Sequence, residues 1–142
     1  FIDRMIPLFH EQMTQYGLAS RCAGIAPVGF TFQDVLPAFR DPAPLIARFE
    51  TAARALIRQG ADVIVPGEMP LNLLLAVNGV ARVDDVPVVD GLAVTLKQAE
   101  MLVDLRRTTG LMQSRHGWMS AQPAAERVDQ VLAFYGLDRI AR

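Results

Sequence analysis

The sequence predicts an α/β fold, a parallel sheet with helices on both faces, and three observations carry that expectation. A long amphipathic segment ending at Gln59 passes through Gly60 into the β-branched run Ala61-Asp62-Val63-Ile64-Val65, which breaks at Pro66-Gly67. A second apolar run, Val86-Pro87-Val88-Val89, ends in the same manner at Asp90-Gly91 and again leads into a helical pattern. Along the whole chain the segments follow the order α, β, α, α, β, α, β, α, which suits a sheet joined by right-handed crossover helices.

Each element has its own justification. Met5, Leu8, Phe9, Gln12, Met13 and Tyr16 fall on one face of a helix of roughly twelve residues, with Pro7 tolerable in the first turn and Gly17 as the stop. Leu18 to Val28 is mostly apolar, ends at Pro27-Val28-Gly29 and reads as a strand. Thr31 is placed to cap a short helix running through Phe39, and Asp34 supplies the acid of a capping box. Leu45, Ile46, Phe49, Ala52, Ala53, Leu56 and Ile57 recur at helical spacing, with Asp41 as the cap, Pro42 at the first helical position and Gly60 as the terminator. After Pro70, Leu71, Leu74, Leu75 and Val77 mark a shorter helix stopped by Asn78-Gly79. Pro87 moves the strand from Val86 to Gly91 toward a sheet edge. Leu92, Leu96, Ala99, Leu102 and Val103 then predict a helix that ends by Gly110. Residues 113–123 are polar and read as an ordered loop, before a last helix on Val128, Val131, Leu132 and Tyr135 that Gly136 closes.

Bulk properties bound the function classes. A chain of 142 residues is read as one domain, large enough to bury about two thirds of its unfolded surface. With 51% hydrophobic residues, 20% charged residues and a net charge of −1, it carries no electrostatic signature of nucleic acid or anionic membrane. Cys22 is the sole cysteine, so an intrachain disulfide and a thiolate zinc cluster are both excluded. It reads either as a buried strand residue or as a reactive thiol. No apolar run of about 20 residues is present for a membrane helix, nor a basic-then-apolar leader, and a cytoplasmic protein is expected. The chain begins Phe1-Ile2-Asp3, without methionine and already in a helical pattern. A further segment upstream is therefore expected.

The phrase ARALIRQGADVIVPGEMPL, followed by VPVVDGLAVTLKQAEML, resembles the second half of the aspartate/glutamate and hydantoin racemase superfamily. The likeness runs from about Leu45 to Pro123, and GLMQSRHGWMSAQP, Gly110 to Pro123, is closest to the hydantoin racemase branch. The resemblance implies two similar α/β lobes with the active site in the cleft between them, of which this chain would hold one lobe and a C-terminal segment. Residues 111–142 would then pack on the absent lobe. It also implies a cofactor-independent, racemase-like isomerase or a lyase, with no metal, acting on a small substrate at a carbon beside a carbonyl or carboxylate. In that family one cysteine on each lobe removes and returns the proton from opposite faces, a task that needs two acid/base groups and donors for the enolate-like charge. This chain departs from the pattern, because Glu68 stands after Gly67 where the family has cysteine. Cys22 matches no family thiol position.

The expected site therefore centres on Glu68, which can be a general base of raised pKa, a plain acid at a helix start, or a charge that favours neutral and cationic ligands. Gly67 and Met69 flank it, and Asp90 and Gly91 end the second strand at the same expected sheet edge. Asp90 reads equally as a cleft residue or as the cap of the next helix. Asn72 reads as a group that orients a carbonyl or as an exposed helix residue. Arg115 could grip a carboxylate and His116 could move a proton, or both are surface groups. His10, Trp118 and Met119 are read as structural. Two carboxylates at adjacent strand ends are too few ligands for a metal. The alternative function is a non-catalytic small-molecule binding or oligomerisation domain, with a homo-oligomer among its expected states.

Overall fold

The computed structural model describes residues 2–117 and 119–137, so Trp118 lies outside the described residues. The chain is built mainly of helices: α1 (Ile6–Gln15), α2 (Phe32–Arg40), α3 (Ala43–Arg58), α4 (Met69–Val77), α5 (Gly91–Thr109) and α6 (Ala125–Phe134). Two short strands, β1 (Arg82–Val83) and β2 (Val86–Pro87), lie between α4 and α5. They pair antiparallel, with Arg82 opposite Pro87 and Val83 opposite Val86.

This overturns the expected fold class. Among the described residues there is no parallel sheet with helices on both faces, and the α/β racemase-like architecture implied by the resemblance is corrected to a helix-rich chain with a small antiparallel sheet. The run Ala61 to Val65 forms no strand and contributes one parallel bridge, Ile64 to Val88. Proline supplies a physical reason, since Pro66 and Pro87 have no N–H to donate and neither run can extend a ladder far. Leu18 to Val28 is not a strand either; it holds a 3-10 turn over Ala19–Arg21 and is otherwise irregular.

The helices follow the local chemistry more closely. At the start of α2 the Asp34 carboxylate accepts the Thr31 N–H at 2.6 Å and the Thr31 hydroxyl at 2.9 Å, and these two bonds hold its pKa below the ordinary value. The cap of α3 is Pro42 rather than Asp41, with Pro44 in the first turn. Gly60 follows α3 at φ 99 and Gly79 follows α4 at φ 71, backbone angles that a side chain disfavours.

The chain divides into two compact units, Phe1–Ala99 and Glu100–Arg142, a division that falls within α5. The first unit holds the core. Leu45, Phe49 and Ala53 repeat every fourth residue on the inner face of α3 and join Leu71, Leu74 and Leu75 of α4, with Phe30, Ala38, Ile64, Val83 and Val86 completing the cluster. α1 buries no side chain. In the second unit none of the described residues is buried; many of its apolar side chains, Met101, Leu102, Val103, Leu111 and Phe134 among them, are exposed, and Leu105, Val128 and Leu132 are half-buried. No helix among the described residues is long and apolar enough to cross a membrane.

Candidate functional site

The parallel bridge at Ile64 sets the geometry of the first unit's polar centre. The Ile64 N–H donates to the Pro87 carbonyl and the Val89 N–H donates to the Ile64 carbonyl, each at 2.9 Å. Two loops therefore leave neighbouring points: Val65 to Glu68 leads into α4, and Val89-Asp90 leads into α5. Glu68 is the extended residue before α4, at φ −142 and ψ 137, and its side chain makes no capping bond. Its carbonyl accepts the Asn72 N–H at 2.9 Å.

Asn72 joins the two loops. It is 4% exposed, the single buried polar residue among those described, and a buried amide is stable only when its hydrogen-bonding groups find partners. Its Nδ2 donates to Asp90 Oδ1 at 2.9 Å, and its Oδ1 accepts the Gly91 N–H at 2.8 Å. Asp90 is in turn the cap of α5, for the same Oδ1 accepts the Leu92 and Ala93 N–H groups at 3.1 Å each. Three donors on one oxygen favour the charged form. The Asn72 amide is the largest influence, followed by the Ala93 N–H; burial opposes them and the Leu92 N–H adds to them, and the Asp90 pKa lies below 3.8.

A recess of about 160 Å³ opens beside this clamp, lined by Pro66, Asn72, Leu75, Ala76, Gly79, Val80, Ala81, Val88, Val89 and Asp90. Of the residues expected from the sequence, Asn72 and Asp90 line it. Glu68, Gly67, Met69 and Gly91 stand next to these in the chain but outside the lining. Glu68 is half-buried and Met69 is mostly exposed. A Cβ on Gly67 would meet nothing within 4 Å, and one on Gly91 would meet Asn72 Oδ1 at 3.6 Å, an ordinary contact. Neither glycine is there to admit a close neighbour.

The other expected residues lie elsewhere. Arg115 and His116 are exposed residues of the second unit, where the His116 N–H donates to Ser114 Oγ at 3.2 Å. Cys22 is half-buried in an irregular segment, its thiol 3.6 Å from the Gly24 carbonyl. No group of three or more His, Cys, Asp or Glu side chains suited to a metal occurs among the described residues. The apolar wall was not singled out by sequence reasoning. In the sequence Leu75 stands only as one of the apolar positions that mark a short helix, and Val80 and Ala81 follow a helix stop without any distinguishing pattern. The position of Asn72 inside the apolar run Leu71-Asn72-Leu73-Leu74-Leu75 was a usable signal for burial, and the structure replaces its exposed reading with a buried one.

Comparison of the chain with family models, curated proteins and solved structures found no match. These comparisons neither support nor refute the racemase resemblance, and they give the isomerase reading no support.

The clamp makes a pH prediction. Because the folded pKa of Asp90 is depressed, its contribution to stability is present above the unfolded value of 3.8 and is lost as the pH falls through the lower folded value. Asp90→Asn keeps a good capping residue but removes the titrating group. Denaturation midpoints of the two proteins between about pH 3 and 7 should therefore differ most near neutrality and converge on the acid side. A gap that stays constant into acid would show that the carboxylate is not held in its charged form.

Proposed function

We propose that this chain is a small-molecule binding domain whose site is the recess beside Asn72 and Asp90. The observation that carries the proposal is the joining of a half-open, largely apolar recess to one fixed carboxylate, the combination by which small ligands are usually held and oriented. The clamp supports the reading further, since Asn72 fixes both the Asp90 oxygen and the first N–H of α5 before any ligand arrives. Such pre-organisation reduces the ordering cost of binding.

Binding is favoured over proton transfer because the acid/base pair needed for isomerisation is not assembled at the recess. Asp90 is committed as a cap and is held ionised, and Glu68 lies outside the lining. The test is a fragment titration followed by amide chemical shifts. Ligands should move the Val80, Ala81, Val89 and Asp90 signals together and leave those of α1 in place. Shifts scattered over the exposed apolar side chains would count against the site. The catalytic alternative has its own readout, solvent deuterium entering hydantoins, amino acids or malonates. Exchange that disappears in Glu68→Gln would replace the binding reading with an enzyme.

A further inference from the structure

The recess also carries information about what it would hold. Resting on the binding reading above, we propose that its occupant is a compact monocationic amine, an ammonium group on an apolar body of roughly six to eight non-hydrogen atoms, a size set by comparison with an apolar cavity of about 150 Å³ that accepts benzene.

Size comes first: the recess measures about 160 Å³, which sets the part of a ligand it can hold at a compact body. The walls then set the body of the ligand, since Leu75, Ala76, Val80, Ala81, Val88 and Val89 offer hydrocarbon, and apolar surface placed there leaves water favourably. Charge selects the head group. Asp90 is the one charged residue of the lining, and no arginine, lysine or histidine accompanies it. An anionic ligand would meet a like charge without a counter-ion.

The helix start does not reverse this preference. A helix N-terminus attracts anions through its free N–H groups, but at α5 the Gly91 N–H is taken by Asn72 and the Leu92 and Ala93 N–H groups are taken by Asp90. The protein's own carboxylate already occupies the place of an anion. All three of the hydrogen bonds described for that carboxylate converge on Oδ1, and a carboxylate offers acceptor positions on its second oxygen as well. An ammonium group in the recess that reaches this second oxygen gains a charge-assisted hydrogen bond, which is stronger than a neutral one.

The test is a titration of the full chain with three probes of one shape: isopentylammonium, isopentyl alcohol and 4-methylpentanoate, followed by the Val89, Asp90, Val80 and Ala81 amide signals. Both the alcohol and the ammonium can donate to the carboxylate, but only the ammonium pairs charge with charge, so it should bind about tenfold tighter than the alcohol, and the carboxylate probe should give no response at these signals. Asp90→Asn, which keeps the cap, should bring the ammonium and the alcohol to equal affinity. Equal binding of ammonium and alcohol by the unaltered protein, or a preference that survives Asp90→Asn, overturns the amine assignment while leaving the binding site in place. No response at these signals to any of the three overturns the binding site and the amine assignment together.

Discussion

Replacing Leu74 by alanine should lower the free energy of unfolding by about 3 kcal/mol, within the range of about 2–5 found for buried leucines. Leu74 is 1% exposed and sits with Leu71 and Leu75 in the cluster that α4 forms with the inner face of α3. Removing its branched end takes away both the transfer free energy of the lost carbons and their contacts with neighbours that cannot fully close the gap. The adjacent position is an internal control. Leu73 is 39% exposed on the same helix, and alanine there should change stability by less than about 0.5 kcal/mol, as surface substitutions usually do. Urea denaturation of the two variants measures the contrast. Equal losses would mean that the inward face of α4 has been misassigned. A single core of this kind leaves little reserve, because small domains hold only about 5–15 kcal/mol in total.

The contrast between Leu73 and Leu74 was partly legible in the sequence: Leu71, Leu74, Leu75 and Val77 mark the apolar positions of this helix and Leu73 does not, but only the first three are buried, and Val77 is 65% exposed. The helices could be read because each is specified locally, by Thr31 with Asp34 at one start and by Gly60 and Gly79 beyond two ends. The strands could not, because a strand is specified by the partner across its ladder and a short apolar run does not identify that partner. Val63-Ile64-Val65 and Val86 to Val89 resemble buried strands in composition, yet they meet in one parallel bridge. Leu18 to Val28 shows a different cause. At Gly24 a Cβ would stand 2.7 Å from Gln59 Oε1 and 3.0 Å from Leu56 Cδ2, so the backbone passes close over the end of α3, and glycine permits that approach. The polar centre was half legible: Asp90 was readable as a cap from Asp-Gly before a helical pattern, but its link to Asn72, 18 positions away, is a tertiary fact.

That link is the subject of the second large effect. Asn72→Leu should destabilise the protein by about 2 kcal/mol, because it removes two hydrogen bonds at once and leaves a backbone donor without its buried partner. Leucine keeps the branched heavy-atom skeleton of asparagine but is larger, so none of the loss comes from an empty cavity; it reports on the polar bonds together with the strain of fitting two methyl groups at a buried position. The effect should also be uneven along the start of α5. The Gly91 N–H bonds to Asn72 Oδ1, whereas the Leu92 and Ala93 N–H groups bond to Asp90 Oδ1. Native-state amide exchange should therefore show Gly91 losing protection relative to Ala93, which keeps its cap. If Gly91 and Ala93 change in parallel, the variant has loosened the whole helix start and the amide acts through Asp90; if neither changes, Asn72 does not hold the two loops together. Either of those outcomes would also weaken the case for a pre-organised recess, since it is the Asn72 amide that fixes the one carboxylate a ligand would meet.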